Sequence, residues 1–433
     1  MSNSNGPSDG YLLSKANSYY IFSLLFLLYM FDYIDRMVVV SLFPYLQKDW
    51  GLTDTQCGLL VSTVYWSIVL FSFPVSIIID RWSRKKSIGI MAVLWSIATA
   101  SCAFANNFTH LFIARSAIGL GEAGYAPGGT AMISALFPEK KRAMLVGLWN
   151  ISIPLGSAIG VALGGYIAAR YGWRQAFGLV ALPGLIIALL FFFVRDYKTV
   201  ELVKSQDTGT DGPAPLRLGT MDIIREFSRT PSLLLTYVGF AGNTFLTTSL
   251  LSWLPTYLHR FENLPMEKAS VKGSLVLLMA IIGSPLGGYL ADKWLKKRGN
   301  ARLLFGALSS TVTALIFILA FGLFSGKIQY GLFLMGGVTA IAFASSAIAV
   351  TQDVVHPGLR AVSYSICVIA MNLLGSSLGP IVTGFFSDQY NIRTALLIVS
   401  FFPLLAGLFF YLGSFFYEKD LAKVEKIPVR LES

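Results

Sequence analysis

The sequence predicts an all-α membrane protein with twelve transmembrane helices arranged as two pseudo-symmetric six-helix bundles. Three observations carry that expectation. The first is composition: of 433 residues, 55% are apolar and only 13% charged, and the mean hydropathy is +0.64, outside the range of soluble globular domains. The second is segmentation. Apolar windows of ~20 residues recur about twelve times, and because lipid offers no hydrogen bonds to an open backbone, each is expected to be a helix. The third is repetition. The stretch from Gly165 to Ala176 lines up with that from Gly384 to Ala395, so that Tyr171, Arg174 and Ala176 meet Tyr390, Arg393 and Ala395. With the same offset Gly156, Ser157 and Gly160 meet Gly375, Ser376 and Gly379, and a similar one relates the run from Asp80 to Lys86 to that from Asp292 to Arg298. Duplicated halves enclosing a midplane site are the layout of many transporters.

In chain order, residues 1–18 are polar and read as a cytoplasmic tail. The first apolar run is too long for a signal peptide and is followed by no small-residue cleavage site, so it is expected to be a retained span. Spans are expected at 19–44, 56–80, 86–105, 109–134, 143–169 and 173–194, which form an N-terminal bundle over 19–194. Residues 195–230, rich in Gly, Pro and charge, read as a flexible cytoplasmic linker. Further spans at 232–258, 270–291, 302–325, 329–351, 359–387 and 393–417 form a C-terminal bundle over 231–418, and 419–433 is a second cytoplasmic tail.

The net charge of +11 does not signal nucleic acid here. About eight of the Lys and Arg residues fall on alternate loops and about 24 on the other side and the two ends, an asymmetry that places both termini in the cytoplasm. The expected location is a cell membrane, the bacterial inner membrane, and the expected state a multi-pass monomer, although the charge asymmetry itself bears only on the side of the termini. Cys57, Cys102 and Cys367 are isolated in or beside apolar spans and read as small apolar residues, with neither metal-ligand nor disulfide spacing. Gly119-Leu120-Gly121-Glu122-Ala123-Gly124 is formally a dinucleotide fingerprint, but no strand precedes it, so no such site is expected. Ser152, Gly156, Gly160 and Gly164 recur once per turn and form a small-residue ridge that admits a close helix neighbour.

Two short charged stretches interrupt this apolar background: Asp32, Asp35 and Arg36 late in the first span, and Arg115 with Glu122 in the fourth. Unpaired at mid-membrane, five such charges would cost about 12 to 18 kcal/mol, as much as the whole net stability of a typical domain. They must face one another, water or a substrate. Arg36 can close on Asp32 one helical turn away, while Asp35 stands at the edge of that face. Arg115 and Glu122 lie two turns apart, roughly 10 Å along the axis, which leaves room for a small anion or water. Assembly of the bundle by ion pairs alone is the plainer alternative, although buried ion pairs rarely improve on apolar packing. The functional reading assigns Arg36 and Arg115, with planar forks matched to carboxylate or phosphate, to an anionic substrate group. It assigns Asp35 and Glu122, as carboxylates in a low-dielectric cavity, to the coupling proton. Tyr33, Tyr65, Asn150, Asn243 and Asn372 are further candidates for substrate contact, and Asp32, which holds or releases Arg36, is a candidate gating residue. Asp353, near His356 and Arg360, reads as part of an ion pair at the cytoplasmic end.

The basic clusters after Asp80 and Asp292 resemble the cytoplasmic motif of the major facilitator superfamily, Gly-x-x-x-Asp-Arg-x-Gly-Arg-Arg. The second copy keeps Gly288, whereas the first has Ser76 and Ser83 at its glycine positions. The resemblance implies a latch in which the aspartate pairs with cations of the neighbouring half, making Asp80, Arg81, Arg84, Asp292 and Lys293 gating candidates. Asp35-Arg36, the Arg115-x6-Glu122-Ala123-Gly124-Tyr125 run, Pro154-Leu155-Gly156-Ser157 and the Gly172-Trp173-Arg174 motif look like the spinster-like branch of that superfamily. They are also similar to the anion:cation symporter branch. The resemblance implies alternating access, proton coupling through the Asp and Glu, and arginines facing an anion or, in some spinster members, a lysophospholipid. The expectation is therefore a proton-coupled transporter of a small organic anion in contact with membrane lipid. It should have no metal, no cofactor other than the coupling proton, no catalytic residue and no nucleic-acid partner. The alternatives are a lysophospholipid or amphiphile exporter and, from another class, a membrane receptor or enzyme.

Overall fold

A computed structural model describes residues 11–81, 83–194, 226–356 and 359–424, whose regular structure is helical. Twelve helical rods follow one another among these residues. Helix α1 runs over Lys15–Met37 and continues through a 3-10 turn, Val38–Leu42, into Phe43–Trp50. The N-terminal half is completed by α2 (Asp54–Arg81), α3 (Arg84–Cys102), α4 (Phe108–Glu122 and Tyr125–Leu136), α5 (Glu139–Asn150 and Ser152–Tyr171) and α6 (Trp173–Phe191). The other half comprises α7 (Pro231–Phe261), α8 (Met266–Leu278 and Ala280–Leu295), α9 (Ala301–Gly322), α10 (Gly326–Thr339 and Ala344–Asp353), α11 (Arg360–Ala370, a π-helical segment Met371–Ser376, and Leu378–Gln389) and α12 (Ile392–Val399 and Phe402–Lys423). The expected linker lies outside the described residues over 195–225.

Eight of these helices are long and apolar enough, by length and composition, to cross a membrane. The other four are α1, α3, α4 and α7. The first carries the Asp32, Asp35 and Arg36 charges, the second opens on Arg84-Lys85-Lys86, the third holds Arg115 and Glu122, and α7 is dense in Asn, Thr and Ser. Local chemistry sets the ends. Ser14, Ser83, Asn107 and Asn391 cap α1, α3, α4 and α12 by accepting a backbone N–H from the first turn, which satisfies donors that have no intrahelical partner. Gly51 closes the α1 extension in the left-handed region, at φ 65°, where a side chain would strain the backbone.

The small-residue ridge of α5 packs on α1, within the same half. Gly156 lies against the Met30 carbonyl, and a Cβ at Gly160 or Gly164 would fall 2.7 Å from the Ile34 or Val38 carbonyl oxygen. The second half repeats the arrangement: Gly375 and Gly379 of α11 lie against the Ala241 and Phe245 carbonyls of α7. The two bundles are thus equivalent in helix pairing as well as in sequence.

The halves meet through α2 with α11 and α5 with α8, the same pair exchanged by the pseudo-twofold. Ser62 Oγ donates to the Ser377 carbonyl at 2.5 Å, Ser274 Oγ to the Ala158 carbonyl at 2.7 Å, and Ser270 Oγ lies 3.0 Å from Ser41 Oγ. These contacts continue to the end of the molecule opposite the described termini, where the two halves are closed on each other.

Candidate functional site

Helix α1 brings Asp32, Tyr33, Asp35 and Arg36 into one buried turn beside α4. The Arg36 guanidinium closes on Asp32 of the preceding turn, Nη2 donating to Oδ2 at 2.9 Å and Oδ1 at 3.1 Å. On its other edge Arg36 Nε forms a close ion pair with Glu122 Oε2 at 2.8 Å. One guanidinium therefore bridges two carboxylates from two helices. The Tyr33 ring lies beneath it, 4.7 Å from Cζ, a cation–π contact that helps to hold a partly desolvated charge.

Glu122 reaches Arg36 because α4 breaks directly after it. Glu122 ends the first segment of α4, Ala123 and Gly124 turn, and Tyr125 opens the second segment. Tyr125 anchors the break: its hydroxyl donates to the Leu25 carbonyl at 2.6 Å. Trp149 donates to the same carbonyl at 3.2 Å and stacks on Tyr29 at 4.2 Å. Gly119 and Gly121, members of the formal dinucleotide motif, serve close packing against Val64 of α2 and Trp95 of α3.

Arg115 is the largest departure from the sequence expectation. It does not face Glu122 across a substrate-sized gap. Its Nε donates to the Leu60 carbonyl at 2.5 Å and its Nη2 to the Arg36 carbonyl at 3.0 Å. It is 0% exposed and stitches α4 to α2 and to the end of the first α1 segment. Tertiary placement overrides the two-turn spacing: this guanidinium hydrogen-bonds backbone carbonyls on other helices, and its Nη1 has no hydrogen-bond partner among the described residues.

Asp35 is also 0% exposed. It lies among Asp32, Thr99 and Arg115, and among the described residues it forms no ion pair. Of the five charged side chains only Arg36 has measurable exposure, 10% against 0% for the Asp32 and Glu122 side chains.

The remaining candidates separate. Tyr65 is buried near Arg36 and Glu122, and Asn150 is exposed. Asn372 is half-buried in the π-helical segment of α11, where an extra residue per turn frees its carbonyl to accept from Ser377 N at 3.0 Å. Asn243 is buried and already hydrogen-bonded: its Nδ2 donates to Ser310 Oγ at 2.8 Å and to the Gly239 carbonyl at 3.1 Å. That commitment makes it a strut between α7 and α9. Among the gating candidates, the side chains of Asp80 and Arg81 lie outside the described residues. Asp292 is exposed and sits 3.7 Å from Arg302 of its own half, in place of the cross-half pairing that the motif implied. Lys293 is exposed and Arg84 half-buried. Asp353 forms its ion pair with Arg302 and accepts from Tyr417, while Arg360 donates to the Gln352 carbonyl instead. Sequence reading missed the cluster of Asp54, Arg260 and Asp388 at the closed end, since its members are separated by 206 and 334 positions.

Two six-helix halves around a buried, charge-bearing gap define a membrane transporter. The chain belongs to the Major Facilitator Superfamily, whose family description matches residues 25–378. A hexuronate transporter of Bacillus subtilis is 29% identical over 377 residues, covering 84% of this chain and 87% of that one. Protein spinster homolog 1 of Xenopus laevis is 26% identical over 445 residues, covering 95% of this chain and 84% of that one. In fold, the chain is similar to the crystal structure of a bacterial homolog to the human lysosomal transporter Spinster in an inward-facing, unoccupied conformation. That similarity has a TM-score of 0.82 at 22% identity, over 94% of this chain and 99% of that one. The relatives are transporters, so the expectation of a non-enzyme holds.

Proposed function

We propose that this transporter works by alternating access and couples proton movement to the transport of a small organic anion. The observation that carries this reading is the charge balance of the buried cluster. Asp32, Asp35 and Glu122 share this buried region with Arg36 and Arg115, and their formal charges sum to minus one. An uncompensated buried charge costs several kcal/mol, so the resting cluster takes up one proton. Asp35, the one carboxylate of the three that forms no ion pair among the described residues, is the group that holds it.

Arg36 is the residue that meets the substrate, because it alone of the five keeps any side-chain exposure, 10%. A carboxylate arriving on its fork displaces Glu122, restores a net charge of minus one and draws in a second proton. Substrate and proton are then linked through one guanidinium. Arg115 positions the Arg36 backbone and does not touch the anion. The hexuronate relative agrees with an anionic cargo.

A second reading, export of a lysophospholipid or similar amphiphile, is favoured by the likeness to spinster homolog 1 along nearly the whole chain. One experiment separates the two. Purified protein in liposomes with a trapped pH dye is offered sugar acids, aromatic acids, dicarboxylates and lysophospholipids in turn. The anion reading expects a substrate-dependent proton flux that Glu122→Gln abolishes while substrate exchange survives. Loss of both activities in a folded variant removes Glu122 from the proton role, and lysolipid movement without any pH change selects the amphiphile reading.

A further inference from the structure

We propose that the closed end carries a second anion site, a basin between Arg260 and Arg393, and that a carboxylate-bearing substrate bound there loosens the closure of the two halves. The proposal rests on the anion reading above and adds a site to it.

The closure itself is built from two reciprocal carboxylates. Asp54, in the first turn of α2, is 4% exposed and is gripped from the other half by the Arg260 fork, Nη1 to Oδ2 at 2.8 Å and Nη2 to Oδ1 at 2.7 Å. Ser387 Oγ adds a hydrogen bond to Oδ2 at 2.5 Å from α11, and Gln47 Nε2 one to Oδ1 at 2.5 Å from its own half. In the opposite sense Asp388 of α11 accepts from Asp54 N at 2.8 Å, Thr55 N at 2.9 Å and Thr55 Oγ1 at 2.6 Å. A carboxylate of one half thus caps the N-terminus of a helix in the other, where the helix dipole favours negative charge. Gly384 leaves no room for a Cβ against the Asp54 backbone, so α11 sits directly on the start of α2.

Beside this closure lies a cavity of about 490 Å³ lined by Arg260, Phe261, Ser387, Asn391, Arg393 and Thr394. Two of its lining residues, Arg260 and Ser387, are the cross-half donors to Asp54. The Arg260 side chain is 33% exposed and lines the basin, while its Nη2 also donates to Gln47 Oε1 at 2.6 Å. Arg393 donates to the Phe321 carbonyl at 2.6 Å and the Gly322 carbonyl at 3.3 Å, and lies 5.0 Å from the centre of the Phe261 ring. None of these partners carries charge, and among the described residues Arg393 forms no ion pair.

The basin therefore presents a cation without a counter-charge next to a cation whose counter-charge is the latch. A small organic acid fits such a volume. Its carboxylate meets Arg393 and competes with Asp54 for the Arg260 fork, which can hold one carboxylate in the bidentate geometry. An anion that binds better once Asp54 has let go shifts the halves toward opening by that difference in affinity. Phe321, Gly322 and Phe261 give Arg393 an architectural role as well; glutamine there keeps a donor for the carbonyls and removes the charge.

The test measures opening directly. Spin labels on Lys48→Cys and Lys268→Cys, exposed positions on opposite halves near this end, report the separation by pulsed EPR in the full-length protein; the native cysteines are buried. Glucuronate and the other acids of the liposome panel are titrated against potassium chloride at matched ionic strength and against glucose. The open fraction is expected to rise with an acid of the panel and with neither control. Asp54→Asn should raise it with no anion added. Arg36→Gln, which removes the central contact, should retain the response, and Arg393→Gln should shift its midpoint at least tenfold to higher concentration. Loss of the response in Arg36→Gln would show that the anion acts only through the central site, overturning the basin while leaving the proposed transport intact. An equal effect of chloride, an unshifted midpoint in Arg393→Gln, or no response of the unmutated chain to an acid that the liposomes show to be transported would each overturn it as well. If no acid is transported at all, the anion reading falls on the liposome result.

Discussion

Replacing Arg115 with alanine should damage the stability of the N-terminal half and not the affinity of the folded protein for its anion. Arg115 is wholly buried and makes two charged hydrogen bonds to carbonyls, on Leu60 and Arg36. Hydrogen bonds to charged groups contribute about 1.5 to 3 kcal/mol each, so the pair is expected to account for about 3 to 6 kcal/mol. For a unit of about 150 to 250 residues, the size of one half, each kcal/mol lowers the melting temperature by about 2 to 4 °C, giving a loss of about 6 to 24 °C. Cys57, Cys102 and Cys367 are all buried, so a thiol-reactive dye in detergent reports the melting directly. Arg36→Lys supplies the contrast: it keeps the charge between Asp32 and Glu122, loses the fork, and should weaken anion binding with little change in melting. An Arg115→Ala protein that melts with the unmutated chain but has lost anion affinity would refute the reasoning. It would return Arg115 to the substrate surface that its spacing from Glu122 suggested.

Two further outcomes test the packing around the site. Gly160→Leu places a Cβ 2.7 Å from the Ile34 carbonyl oxygen and 2.9 Å from its Cα, which backbone cannot evade without moving a helix. Overpacking of this kind costs about 1 to 3 kcal/mol or more, so melting should fall clearly, whereas Gly178→Leu, with nothing within 4 Å of its Cβ position, should not change it; equal melting of the two would mean that α5 does not rest on α1. Asn243→Ala removes the bond to Ser310 and, at the ~0.6 kcal/mol typical of interhelical hydrogen bonds in membranes, should slightly lower stability and leave the transport KM unchanged. A raised KM would place Asn243 on the substrate path.

The sequence by itself determined whatever depends on one helix at a time. The thickness of hydrocarbon and the need to pair every backbone group turn a 20-residue apolar window into a span, so composition was enough to define the bundle. The duplicated Gly156/Gly160 and Gly375/Gly379 ridges announced equivalent halves, and the helical repeat alone brings Arg36 onto Asp32. Tertiary structure decided everything that depends on how helices stand beside one another. The break of α4 at Ala123 and Gly124 follows directly on Glu122, which pairs with Arg36, while Arg115, on the same helix, hydrogen-bonds carbonyls. Asn243 finds a partner on α9, and Asp54 meets Arg260 across 206 residues of chain. A charge in a low-dielectric interior goes to whichever partner geometry brings within reach, and that geometry is a property of the packed bundle, set by glycine contacts and helix breaks far from the charge itself.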